Sequence, residues 1–128
     1  MARVLALCPD LMFGSRLASH VQEAGEQLEL VPDAGAVSAR LAGPPEQRPE
    51  LLLVDLTSDP EEGIGLVARL AGEGPRTLGF YSHVEADVRE RSERAGFDLV
   101  VPRSRMAREG AALVERLLED SEARRTGA

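Results

Sequence analysis

With 128 residues the chain has the length of one domain, enough to bury a core without disulfides or metals. A formal net charge of -7, with all 15 basic residues arginine and scattered along the chain, argues against a nucleic-acid backbone or an anionic membrane as partner, since both select for clustered cations. The single cysteine, Cys8, excludes an intramolecular disulfide and a thiolate metal cluster. With no apolar leader and no membrane-length apolar run, the expectation is a soluble cytoplasmic protein.

The chain opens with Arg3-Val4-Leu5-Ala6-Leu7-Cys8, a short apolar run stopped by Pro9-Asp10, which predicts a buried strand and its exit loop. Asp10 then precedes Leu11, Met12, Leu17, Ala18, Val21 and Ala24, spaced as one apolar face of a helix that ends near Gly25. Leu28 to Val31 is a second strand closed by Pro32-Asp33, and Ala34 to Ala42 a short helix stopped by Gly43-Pro44-Pro45. A polar connector, Glu46 to Glu50, leads into Leu51-Leu52-Leu53-Val54-Asp55. These four apolar residues ending in a carboxylate predict a strand covered on both faces. Leu56 to Pro60 reads as a loop and Glu61 to Leu70 as a helix with acidic residues in its first turn, where the helix dipole favours them. Thr77 to Tyr81 is a fourth strand stopping at Ser82-His83, and Glu85 to Ala95 a charged helix closed by Gly96. Asp98 to Val101 is a fifth strand stopped by Pro102. Arg103-Ser104-Arg105 reads as the last strand-to-helix turn. The closing helix runs to about Asp120, giving a domain of residues 1–120 and a disordered tail of 121–128.

Five strand-then-helix units with crossovers of this length force parallel pairing, and the right-handed crossover rule leaves few arrangements. The expected fold is a three-layer, doubly wound (βα)5 flavodoxin-like sheet of strand order 2-1-3-4-5. In such sheets ligands collect beyond the carboxyl ends of the strands, so Asp55 is the exposed tip of the central strand and the leading functional candidate. The plainer alternative is that Asp55 caps the turn that follows it. Cys8 to Asp10 and Asp55 to Asp59 face the same crevice, with Ser82 beside them and Arg103 at the end of the fifth strand. Cys8 with His83 could form a thiol-based site of a small enzyme or ligand carrier, though a strand-end cysteine is more often a small buried hydrophobe. No glycine-rich phosphate loop follows the first strand, and no histidine and cysteine spacing suits a metal.

An Asp ending strand three, a hydroxyl ending strand four and a basic residue ending strand five together resemble the receiver (CheY-like) domain of bacterial response regulators, over residues 3 to about 120. The resemblance implies that Asp55 is the phospho-acceptor, and that Ser82 is the conserved hydroxyl. Gly63 falls on the glycine at the start of the third helix, Ala95-Gly96 on the pair before strand five, and Arg103 on the position of an invariant Lys. It also implies partners of the phosphorelay kind: a histidine kinase or downstream target, or a homodimer mate, docked on the face of helix four, strand five and helix five. No activity as an enzyme is expected.

The departures from the pattern decide the expected function. Receivers hold Mg²⁺ with an acidic pair at the end of strand one, and here Cys8 and Pro9 take those positions. Neither offers the hard oxygen that Mg²⁺ requires. Asp10 comes one residue late, where it serves as N-cap of the first helix, and Asp59 replaces a common Pro. A rearranged acidic pocket would draw on Asp10, Asp55 and Asp59, with Asp10 and Asp55 as its metal candidates. Arg103 keeps a positive charge but not a compact ammonium, Ser104 replaces the Pro that usually follows, and Val100 takes the place of the switch aromatic. The expectation is a degenerate, receiver-like signalling module with no bound cofactor, acting through protein interaction. A working phospho-accepting receiver at Asp55 is the first alternative.

Overall fold

The computed structural model describes residues 3–82 and 86–125. Its sheet is five-stranded and wholly parallel, with the order β2-β1-β3-β4-β5 that the sequence predicts. The strands are β1 (Val4–Leu7), β2 (Leu28–Val31), β3 (Leu51–Asp55), β4 (Arg76–Tyr81) and β5 (Leu99–Pro102). They alternate with α1 (Leu11–Glu23), α2 (Ala34–Leu41), α3 (Pro60–Leu70), α4 (Ala86–Ala95) and α5 (Arg103–Arg125).

Side-chain alternation along the strands builds two cores, one on each face of the sheet. Val4, Ala6, Leu51, Leu53, Leu78, Phe80 and Val101 point to one face. There they meet Phe13, Leu17 and Val21 of α1 and Met106, Leu113, Val114 and Leu117 of α5. Leu5, Leu7, Leu52, Val54 and Val100 point the other way, onto Val37 of α2, Leu66 and Val67 of α3 and Val88 of α4. All five residues of β3 are buried, as expected of the central strand. Because Asp55 has the parity of Leu51 and Leu53, its carboxylate projects on the side of α1 and α5.

Glycines set how closely helices approach the central strand. A Cβ on Gly63 of α3 would stand 2.6 Å from Val54 Cγ1 and 2.8 Å from Leu56 Cδ2, so α3 lies directly against the end of β3. Gly110 of α5 leaves comparable room for His20 of α1, where an added Cβ would be 2.6 Å from the imidazole Cγ. His20 therefore packs towards α5. Gly96 adopts φ 112° between α4 and β5, a conformation that explains the glycine of the Ala95-Gly96 pair.

Beyond shifts of a single residue, the boundaries around α5 differ most from the sequence reading. Pro102 belongs to β5 and pairs with Tyr81, because a proline at the end of an edge strand sacrifices no ladder hydrogen bond. Arg103, Ser104 and Arg105 are then the first residues of α5 and not a turn. At its other end α5 continues to Arg125, so residues 121–125 are helical where a tail from 121 was expected. Glu122 ties that last turn to Arg3 at 3.2 Å, a long-range ion pair that a local pattern cannot reveal.

Candidate functional site

The crevice beyond the carboxyl ends of β1 and β3 is lined by Cys8, Asp10, Asp55 and Thr57. Asp55 is only 6% exposed, and both of its oxygens face donors of the same chain. Oδ1 accepts from the Thr57 backbone N–H at 2.8 Å and from the Thr57 hydroxyl at 2.5 Å. This is an Asx turn reinforced by a hydroxyl, the capping arrangement weighed as the plainer role of Asp55. Oδ2 faces Cys8, whose sulfur lies 3.7 Å away and also 3.4 Å from the Asp10 carbonyl oxygen. One thiol hydrogen thus serves two acceptors. Thr57 went unnoticed in the sequence, although an Asp followed two residues later by Thr is itself a turn signal.

Cys8 is buried, and burial, followed by the Asp55 charge, pushes its thiol up to about 12. A nucleophilic cysteine requires the opposite shift. The thiol site considered for Cys8 and His83 is therefore not supported at Cys8, and His83 lies outside the described residues. Cys8 is instead a small buried group that presents a hydrogen to Asp55.

Asp10 divides its two oxygens between two tasks. Oδ1 caps α1 by accepting from Met12 N at 3.0 Å and Phe13 N at 3.2 Å, as expected of an N-cap. Oδ2 lies 3.7 Å from Arg103 Nη2, and the guanidinium carbon of Arg103 sits 4.2 Å from the centroid of the Phe13 ring. Phe13 in turn meets Phe80 with centroids 5.0 Å apart, and Phe80 is the β4 partner of Asp55. The sequence placed Arg103 at this crevice, and its observed partners are Asp10 and Phe13.

Asp59 does not join the site. Its exposed carboxylate caps α3, accepting from Glu62 N at 3.2 Å, and Pro60 takes the first helical position, where a missing N–H costs nothing. The rearranged pocket of Asp10, Asp55 and Asp59 therefore does not assemble. Ser82 follows β4 directly and is half-buried, two residues beyond the Asp55 partner Phe80. Val100 is buried in the core on the α3 and α4 side and carries no switch aromatic.

The donor set does not fit a divalent metal. Among the described residues no group of three or more His, Cys, Asp or Glu side chains could hold one. The pair of positions that would supply hard oxygens holds a protonated thiol and a proline.

A groove of about 930 Å³ lies at the opposite end of the sheet, between the α2–β3 connector, the α3–β4 loop and the end of α5. Its lining arginines are matched by as many glutamates. Arg3, the most engaged of them, binds Glu26 at 2.9 Å, Glu122 at 3.2 Å and Glu50 through its Nε. Nothing in this self-neutralised groove resembles the chemistry around Asp55. Among the described residues no helix is long and apolar enough to cross a membrane.

No protein-family model matches the sequence, and no curated protein matches it. Solved structures do. NtrX from Brucella abortus, in complex with ADP, superposes with a TM-score of 0.79 at 17% identity, over 96% of this chain and 27% of that one. The chain thus spans about a quarter of NtrX. A CheY-like response regulator receiver domain protein from Methanospirillum hungatei gives 0.77 at 18% identity, covering 97% of this chain and 98% of its own. The signal receiver domain of a signal transduction histidine kinase from Syntrophus aciditrophicus gives 0.78 at 20% identity, covering 94% and 92%. At these identities the likeness is one of fold, and it agrees with the strand order and the five helices. The chain has the three-layer α/β fold of response-regulator receiver domains.

Proposed function

We propose that this chain is a cytoplasmic, receiver-like signalling domain that has lost its metal-dependent phosphoryl chemistry and works by binding another protein, with no enzymatic activity of its own. The observation that carries this reading is the state of Asp55. Its oxygens are met by Thr57 and Cys8, and a thiol and a proline stand where a metal would need carboxylates. Phosphoryl transfer to a carboxylate depends on positioned cations to neutralise the transferring group. Among the described residues Arg103 is the cation placed to supply that neutralisation, and its Nη2 lies 3.7 Å from Asp10.

The partner surface proposed is the exposed face of α4. On α4 the charges pair along the helix, Arg89 with Glu93 at 3.7 Å, Arg91 with Asp87 at 3.4 Å and Arg94 with Glu90 at 3.1 Å, and Arg91 also binds Glu61 of α3. Such a surface suits a polar, transient contact with a kinase or downstream protein better than a permanent apolar dimer.

Titrating Mg²⁺ with and without beryllofluoride, an acyl-phosphate mimic, tests the reading through the amide spectrum, with Asp55→Asn as control. The expected result is no saturable shift at millimolar metal. Saturable shifts around Asp55, Ser82 and Arg103 that disappear in the variant would instead establish a phospho-accepting receiver.

A further inference from the structure

We infer that the outer face of α1 is a self-association surface, on which a second copy of this chain docks antiparallel about a two-fold axis beside Ser19. The inference goes beyond the reading of the Asp55 crevice and does not depend on it.

Helical spacing puts Met12, Arg16, Ser19 and Glu23 on one outward stripe of α1, turned away from the buried Phe13, Leu17 and Val21. All four are exposed. Leu11 flanks the stripe, and Leu11 and Met12, at 76% and 79%, are the exposed large apolar side chains among the described residues. The first turn of one helix therefore carries that apolar surface. Beside it lie two serines whose hydroxyls are already engaged. Ser15 donates to the Leu11 carbonyl at 3.1 Å and Ser19 to the Ser15 carbonyl at 3.2 Å. Turned back onto their own helix, they leave a small surface that another backbone can approach.

The charges on the stripe select the occupant. Arg16 and Glu23 form no ion pair among the described residues, and two helical turns, about 10.5 Å of rise, separate them. On α4, by contrast, opposite charges stand four residues apart and pair along the helix. An antiparallel second copy resolves the α1 spacing. A two-fold axis midway between positions 16 and 23 sets Arg16 of each chain opposite Glu23 of the other, which makes two equivalent ion pairs around Ser19. The same crossing carries Met12 over the end of the second copy's α1, where Gly25 has no side chain and lies in open space. A parallel copy would instead set arginine against arginine and glutamate against glutamate. Two short helix faces cover less area than a standard interface, so the dimer is a transient one.

Sedimentation velocity of the whole chain, at loadings from about 10 µM to 1 mM, reads the association. The wild type should move from monomer towards dimer across that range and shift back in high salt, which screens exposed pairs. Arg16→Glu and Glu23→Arg each put like charges at both contacts and should weaken association about tenfold, the size of two exposed ion pairs. Mixing those two variants is the deciding arm. In a dimer that takes one chain of each, both contacts are again opposite in sign, and association should return to the wild-type level. Met12→Ser should weaken association without altering the charge pattern. The substituted positions are all exposed, so the variants keep the fold, which far-ultraviolet circular dichroism checks. A wild type that stays monomeric at the top of the range overturns the inference. So do single variants that associate as the wild type does, or a mixture that fails to recover.

Discussion

The two ends of the sheet face one problem, charge at the rim of an apolar layer, and solve it differently. At the amino end of the strands, Arg3 joins Glu26 of the α1–β2 loop, Glu50 before β3 and Glu122 of α5, four segments far apart in sequence. At the carboxyl end the carboxylates are satisfied nearby. Asp10 caps α1, Asp59 caps α3, and Asp55 accepts from Thr57 two residues on, with Cys8 as its distant neighbour. The first arrangement stitches elements together. The second keeps most partners of each carboxylate within a few residues of it in sequence. The 930 Å³ groove belongs to the stitched end.

The sharpest contrast between the ends is chemical. A thiol pushed up to about 12 holds almost no thiolate at pH 8, so folded Cys8 should react with iodoacetamide slower than the unfolded chain by a factor on the order of a thousand. A thiol-counting assay in native and denatured protein checks this; comparable rates would mean an activated Cys8. Because its folded value is raised above the unfolded one, the stability Cys8 contributes is intact below about pH 9 and lost as pH rises towards 12. Alkaline unfolding curves of the wild type and Cys8→Ala should therefore converge over that window.

Packing at the carboxyl end comes next. Gly63→Ala would press a methyl into Val54 and Leu56, costing about 2–3 kcal/mol in denaturant unfolding. An unchanged midpoint would show that α3 can lift from β3. At the amino end Arg3→Ala removes a cation shared by Glu26 and Glu50. The expected loss is about 1–2 kcal/mol, less than for a fully buried pair because Arg3 remains a third exposed. Thr57→Val, which removes one of the donors to Asp55, should cost about 1 kcal/mol and should not alter the Arg3 end. The smallest effect expected is a gain. Ala71 ends α3 at φ 52°, and Ala71→Gly should stabilise by about 0.5–1 kcal/mol, read as a higher melting temperature.

Most of the fold was legible because its signals are local and repeated. The apolar runs of β2 and β3 end where Pro32 and Asp55 say they end, and five strand-to-helix units constrain the order of the sheet. The capping role of Asp10 was legible for the same reason, being set by residues within three positions of it. Where prediction failed, a distant residue was deciding. α5 continues to Arg125, its last turn bound by Arg3 from the other end of the chain. Arg103 starts that helix because Pro102 closes an edge strand.

The sequence by itself determined the element order, the parallel sheet and the placing of Cys8, Asp10, Asp55, Ser82 and Arg103 around one crevice, since periodicity and chain connectivity set these. Tertiary structure alone decided which of those groups touch. Asp59 turns to its helix, Cys8 stays protonated against Asp55, and Arg103 leans over Phe13 to Asp10, because side-chain partners depend on the distances left when helices pack on a sheet.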